Sequence, residues 1–129
     1  MRPLVKFTPC VLFVAAIGLA LGASACSKSA KPADASQPLQ KSFASEDEPV
    51  QQAINRATAS LKAGNYTEAT RTLTSVVTMR QLTEAQRQAV GVALQQVNQA
   101  VAADPKLNTK EMYEMRQKLS QAGLSKTRF

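Results

Sequence analysis

The segment ATASLKAGNYTEATRTL, residues 57–73, decides the fold of this chain. On each side of Gly64, apolar residues recur every three or four positions, which is the spacing of one helix face. Asn65, with Glu68 three positions later, is suited to cap the second of these helices. The segment therefore predicts two helices joined by a tight turn, because glycine adopts the backbone conformations that such a turn requires.

Helical patterns continue on both sides of this hairpin. Upstream, Ser45 and Glu48 have the spacing of a capping box, and Pro49 falls in the first turn, where its missing N–H costs little. Downstream, Thr83 with Gln86 opens a third helix. That helix carries a long apolar stripe, made of Ala89, Val90, Ala93, Leu94, Val97, Ala100 and Val101.

A fourth helix is predicted after Asp104-Pro105, because the residue before a proline avoids helical geometry. Asn108 is its expected cap, bracketed by Leu107 and Met112 as a hydrophobic staple, and Gly123 is its expected end. The sequence contains no alternating strand pattern. We therefore predict an all-α domain over residues 45–123, with about four helices arranged as antiparallel hairpins.

The first hairpin also carries a spaced set of residues, Ala-x6-Gly-x-Tyr-x2-Ala-x3-Leu, formed by Ala57, Gly64, Tyr66, Ala69 and Leu73. This pattern resembles one tetratricopeptide repeat, in which the glycine turns the chain and the alanine lets the helices approach. The resemblance covers about residues 50–80 and implies peptide or protein binding by fold analogy. A four-helix bundle is the alternative, because the second pair of helices lacks the Gly-x-Tyr turn.

The first 25 residues have the order of a secretory signal peptide. Arg2 and Lys6 precede an uncharged apolar segment, residues 7–21, and small residues follow. The sequence Ala23-Ser24-Ala25-Cys26 resembles the lipobox of bacterial lipoproteins, which implies cleavage after residue 25 and a lipid on Cys26. Plain secretion, or retention of residues 7–25 as an uncleaved anchor, are the alternatives.

The lipoprotein resemblance also bears on location. In Gram-negative lipoproteins, an aspartate after the cysteine tends to retain the protein in the inner membrane. Ser27 therefore implies the outer membrane, with the protein facing the periplasm; an inner-membrane or secreted protein is the alternative. Cys10 would leave with the signal peptide, so Cys26 could form no intrachain disulfide.

The flanks of the helical domain are predicted to be unstructured. Residues 26–44 contain Pro32, Pro38 and several serines but few large apolar side chains, which is typical of a disordered tether. Residues 124–129 are expected to form a C-terminal tail that ends at Phe129.

The composition argues against catalysis. The chain has no histidine and no tryptophan, so the commonest acid–base group and metal ligand is missing. Glu46, Asp47 and Glu48 are expected at a helix N-terminus, where negative charge is favourable. Glu111 and Glu114 could lie together on one helix face, although a mosaic of surface charges is the simpler expectation. We therefore predict no catalytic, cofactor-binding or metal site, no small-molecule substrate and no enzymatic activity.

The remaining expectations concern packing and partners. Met79, Met112 and Met115 are expected in the core. The formal net charge of +7 is spread along the chain, which does not favour a nucleic-acid partner. A small domain with alanine-rich stripes is expected to leave part of the stripe at residues 89–101 uncovered, for a protein partner or for self-association. The expected function is a membrane-anchored interaction or scaffolding module of the cell envelope; the alternative is an accessory subunit of an envelope enzyme or complex.

Overall fold

A computed structural model describes residues 32–124. It contains five α-helices and one 3-10 turn: α1 (Ser36–Ser42), α2 (Glu48–Lys62), α3 (Tyr66–Met79), α4 (Glu84–Ala103), the 3-10 turn (Pro105–Leu107) and α5 (Lys110–Leu124). These residues include no strand, and the all-α prediction is confirmed. The predicted signal peptide, Cys26, Ser27 and the last five residues of the predicted tail lie outside the described residues.

Three local predictions in the middle of the chain are confirmed. The Asn65 side chain accepts a hydrogen bond from the backbone N–H of Glu68 at 3.3 Å. Thr83 and Gln86 form a reciprocal capping box at the start of α4. Gly64 has a φ of +76°, in the left-handed region that glycine adopts without strain. The hairpin α2–α3 therefore turns where the sequence indicates.

The predicted cap of α2 is wrong. This helix begins after Asp47 rather than after Ser45, and no side chain caps it with a hydrogen bond. The carboxylates of Glu46 and Asp47 bind Arg80 instead. Pro49 lies in the first turn, as predicted.

The predicted ends of α5 also need correction. The hydroxyl of Thr109, and not Asn108, accepts the backbone N–H of Met112 at 3.1 Å. The Asn108 side chain instead accepts a hydrogen bond from Arg116 at 3.0 Å. Gly123 lies inside the last turn, because α5 continues to Leu124.

The five helices form a closed ring around one core. α2 packs on α3, α3 on α5, and α5 on α4; α1 packs on both α4 and α2 and so closes the ring. The core consists of buried side chains from every helix, the largest being Phe43, Leu39, Ile54, Leu61, Leu73, Met112 and Leu119. Of the two arrangements left open by the sequence, this packing is the closed bundle, with one more helix than predicted.

The additional helix, α1, overturns the prediction of a disordered tether for residues 33–44. Leu39 and Phe43 are 0% and 1% exposed, and their i, i+4 spacing places both on the same side of α1. A helix of seven residues is not stable alone in water, so the packing of these two side chains has to stabilise it. The ordered domain therefore begins near Ala33 rather than at Ser45.

Most of the predicted apolar stripe of α4 is covered within the described residues. Ala89, Val90, Ala93, Val97 and Val101 are at most 8% exposed, because α1 and α5 both pack on α4. The other two residues of the stripe, Leu94 and Ala100, are partly exposed. The stripe is covered more fully than the sequence indicates, because α1 was not predicted as a packing element.

Two of the three methionine predictions are confirmed. Met112 and Met115 are buried, whereas Met79, the last residue of α3, is 81% exposed. Within residues 32–124, no helix is both long and apolar enough to cross a membrane.

Candidate interaction site

The segment before α1 is attached to α4 through its main chain. The Oε1 atom of Gln99 accepts the N–H of Ala33 at 3.0 Å, and the Oε1 atom of Gln96 accepts the N–H of Ala35 at 3.0 Å. Gln96 and Gln99 are three positions apart, so they lie on the same face of α4. Both bonds go to backbone amides, so no side-chain atom of Ala33 or Ala35 takes part in them.

Two further glutamines hold the chain at the other end of α1. The Nε2 atom of Gln86 donates to the carbonyl of Ser42 at 3.2 Å and to the Glu46 carboxylate at 2.7 Å. The Nε2 atom of Gln51 donates to the carbonyl oxygens of Ala44 and Glu46 at 2.9 and 2.7 Å. We call residues 33–43 the strap, since polar contacts hold both ends and apolar side chains hold the centre.

The strap fits its groove incompletely. The hydroxyl of Ser36 is buried and has no hydrogen-bond partner among the described residues, which costs about 1–3 kcal/mol. An open cavity of about 440 Å³ separates Pro38 and Lys41 from Ala85 and Val92 of α4. A second cavity, of about 190 Å³, lies between α1 and α2 and is lined by residues that include Phe43 and Ile54. Open clefts therefore lie on both flanks of the strap.

No sequence motif indicates this site. Gln51, Gln86, Gln96 and Gln99 gave no motif, and a glutamine beside an apolar stripe usually faces solvent. The spacing of Gln96 and Gln99 is the one sequence signal for this site, and the spacing does not identify the segment that these glutamines bind. The predicted lipid site, Cys26, lies outside the described residues.

Glu46 and Asp47 link the connection before α2 to the connection after α3 through ion pairs with Arg80. An Arg80 guanidinium nitrogen lies 2.7 Å from a Glu46 carboxylate oxygen, and the other terminal nitrogen of Arg80 contacts Asp47. Glu46 and Asp47 precede α2, and Arg80 follows α3. Across residues 32–124, no three His, Cys, Asp or Glu side chains gather in a group that could hold a metal ion.

Glu111 and Glu114 each contact a different basic side chain. Glu111 lies 2.8 Å from Arg71, which also contacts Glu68 at 3.1 Å. The hydrogen bond with Glu111 raises the pKa of Arg71. Glu114 lies 3.9 Å from Lys110. These exposed pairs form the surface mosaic and are each worth little in stability.

The first turn of α4 carries a similar surface pair. Arg87 donates two hydrogen bonds to the carboxylate of Glu84, and Gln88 donates a third. The hydrogen bonds from Arg87 are the largest cause that lowers the pKa of Glu84. The carboxylate therefore stays charged at the positive end of the helix dipole.

No protein-family model matches the chain, and no curated protein or solved structure is detectably similar to it. Because no relative suggests a function, a functional interpretation has to rest on the contacts of the strap.

Proposed function

We propose that this protein is a lipoprotein of the bacterial envelope, anchored through Cys26, whose helical domain serves as a small protein-interaction module. The sequence Ala23-Ser24-Ala25-Cys26 supports the anchor. Ser27 supports the outer membrane as the location, with the domain facing the periplasm.

The observation that carries the proposal is the attachment of Ala33 and Ala35 to α4. With Cys26 in the membrane, only residues 27–32 would separate the lipid from the domain. At 3.3–3.6 Å per residue, this link reaches at most roughly 20 Å. The domain would then stay beside the bilayer, with the C-terminal half of α4 closest to it, which suits a module that meets its partners at the membrane.

A binding role is proposed rather than a catalytic one. In the described part of the chain, Arg71, Arg80 and Arg87 each form an ion pair with nearby carboxylates. The contacts of Arg71 and Arg80 tie helices and connections to one another, and they engage Glu46, Asp47 and Glu111. The surface suited to bind a ligand is the groove beneath the strap, where glutamine side chains bind main-chain atoms.

Metabolic labelling in bacteria tests the anchor. The wild-type protein is expected to incorporate a fatty-acid analogue and to partition into detergent, and Cys26→Ser should lose both properties. Cys10→Ser is the matched control, because Cys10 leaves with the signal peptide and its replacement should change neither. An unlabelled wild-type protein with a free thiol would refute the lipoprotein proposal.

Reconstitution tests the interaction role. A protein captured from detergent-solubilised envelope should bind the purified chain again in stoichiometric amount. The role is overturned when no captured candidate rebinds.

A further inference from the structure

We propose that the strap is releasable, and that the groove it occupies between α2 and α4 binds a partner peptide of the same chemistry. The strap is then an autoinhibitory segment that holds the groove in the absence of the partner. This inference rests on the proposed interaction role. It is tested on the unlipidated Cys26→Ser protein, so that its failure is distinct from failure of the lipid anchor.

The seated strap shows what the groove recognises. Ala35 and Ser36 are fully or almost fully buried, which leaves room only for small side chains there. Leu39 and Phe43 follow as large buried anchors. The ligand pattern is therefore small-small-x-x-Leu-x-x-x-Phe, the kind of spacing by which short helices bind apolar grooves.

The polar contacts add a requirement on the ligand backbone. Gln96 and Gln99 accept N–H groups from positions 35 and 33, so a peptide with proline at either position would lose a bond. Gln86 donates to the carbonyl at the far end of the helix. A second peptide can reproduce all of these bonds, since the strap contributes only main-chain atoms to them.

Several features favour release of the strap over release of any other helix. α1 has seven residues, against fourteen or more in each of the other four helices. The buried hydroxyl of Ser36, which has no partner among the described residues, weakens its docked state. The clefts on both flanks give solvent access to the strap. Water can replace the glutamine side chains as partners of the freed backbone groups.

Release also changes the reach of the anchored domain. In the docked state residues 27–32 lie between the proposed lipid site and the strap, whereas after release residues 27–47 lie between that site and α2. The maximum span grows from roughly 20 Å to about 70 Å. Binding of the partner peptide would therefore allow the rest of the domain to move away from the membrane.

Hydrogen exchange on the mature Cys26→Ser chain tests the release. Under native conditions, the amides of residues 39–43 are expected to exchange at least tenfold faster than those in the middle of α3 and α4. Gln96→Ala with Gln99→Ala should increase exchange in the strap and leave α3 unchanged, whereas Gln95→Ala, an exposed neighbour, should change neither. Equal exchange rates in α1 and α4 would show that the strap opens only when the whole domain unfolds, and would overturn the proposal.

Peptide binding tests the groove. The probe is a fluorescent synthetic peptide of residues 32–44, and the receptor is the full mature chain with Leu39→Ala and Phe43→Ala, which weakens its own strap. This variant is expected to bind the peptide at least tenfold more tightly than the wild-type chain does. A control peptide with alanine in place of Leu39 and Phe43 should not bind either protein.

Two results of the binding experiment count against the groove. A folded double variant that binds the peptide no better than the wild-type chain overturns the proposal, and so does equal binding of the control peptide. If circular dichroism shows that the double variant has lost its helices, the Gln96→Ala, Gln99→Ala chain replaces it as receptor, with the same two criteria.

Discussion

Arg80 donates a hydrogen bond of 2.7 Å to the carboxylate of Glu46, although the two residues are 34 positions apart in the sequence. Arg80 follows α3 and Glu46 precedes α2, so the bond joins two connections at one end of the bundle. The second oxygen of Glu46 accepts a hydrogen bond from Gln86 at 2.7 Å. Glu46 is therefore bound both by the connection after α3 and by the first turn of α4.

Replacing Arg80 should weaken this end of the bundle. Arg80→Ala is expected to lower the free energy of unfolding by about 1–2 kcal/mol, because it leaves the partly buried Glu46 carboxylate with one fewer donor. Urea denaturation measures the change. Arg56→Ala, at an exposed arginine that forms no ion pair with the described residues, should stay within about 0.5 kcal/mol of wild type. Equal losses in both variants would mean that the Arg80 contacts add nothing.

Two glycines should respond to alanine with opposite signs. Gly64 has a φ of +76° and nothing within 4 Å of an added Cβ, so Gly64→Ala should destabilise by about 1–2 kcal/mol through backbone strain alone. Gly91 lies within α4 and is equally open, so Gly91→Ala should stabilise by about 0.5–1 kcal/mol. Thermal melts of both variants measure the two changes in stability, and a lower melting temperature for Gly91→Ala would contradict the prediction.

Ala69 tests the close approach of α2 and α3. Ala69 is fully buried, and Ala69→Leu should cost about 1–3 kcal/mol because the added carbons have no space. Ala59→Leu, on the exposed face of α2, is the matched control and should remain within about 0.5 kcal/mol of wild type. Equal denaturant midpoints for the two variants would show that Ala69 does not lie in the contact between α2 and α3.

The two capping boxes suggested by the sequence should differ in energy. Thr83→Ala is expected to destabilise by about 1 kcal/mol, since its hydroxyl accepts the N–H of Gln86. Ser45→Ala should have almost no effect, because Ser45 lies outside the cap of α2. The comparison is made by urea denaturation, and a larger loss at Ser45 would restore the capping box that the structure does not contain.

The local signals of the sequence predicted turns well where one residue decided the geometry. Gly64, Asn65 and Thr83 act on their immediate neighbours, so their roles are the same in the sequence and in the fold. Ser45 failed because Glu46 and Asp47 are bound by Arg80, a residue more than thirty positions away. Spacing within a short window cannot reveal such a competitor.

The strap shows the limit of composition as a guide. Its proline, serines and lysine are typical of a disordered linker, yet Leu39 and Phe43 are among the most deeply buried side chains of the described residues. Their i, i+4 spacing was visible in the sequence. Whether two apolar residues are enough to order a segment depends on the groove that receives them, and that groove is formed by helices far along the chain.

The closed ring predicts a monomeric domain in solution. Light scattering of the Cys26→Ser protein should give the mass of one chain, and the melting midpoint should not vary with protein concentration, because five of the seven residues of the α4 stripe are buried. A midpoint that rises with concentration would indicate self-association through another surface.

The helices cannot all pack in the order in which they are synthesised, because neighbours in the ring are not always neighbours in the sequence. α2 and α3 are neighbours in the sequence and can pair early, since local contacts form fastest. Ala35 must wait for Gln96, which is made 61 residues later. The first of the described helices to be synthesised therefore has to wait for α4 before it can complete its contacts, and until then the newly made chain carries Leu39 and Phe43 without their full packing.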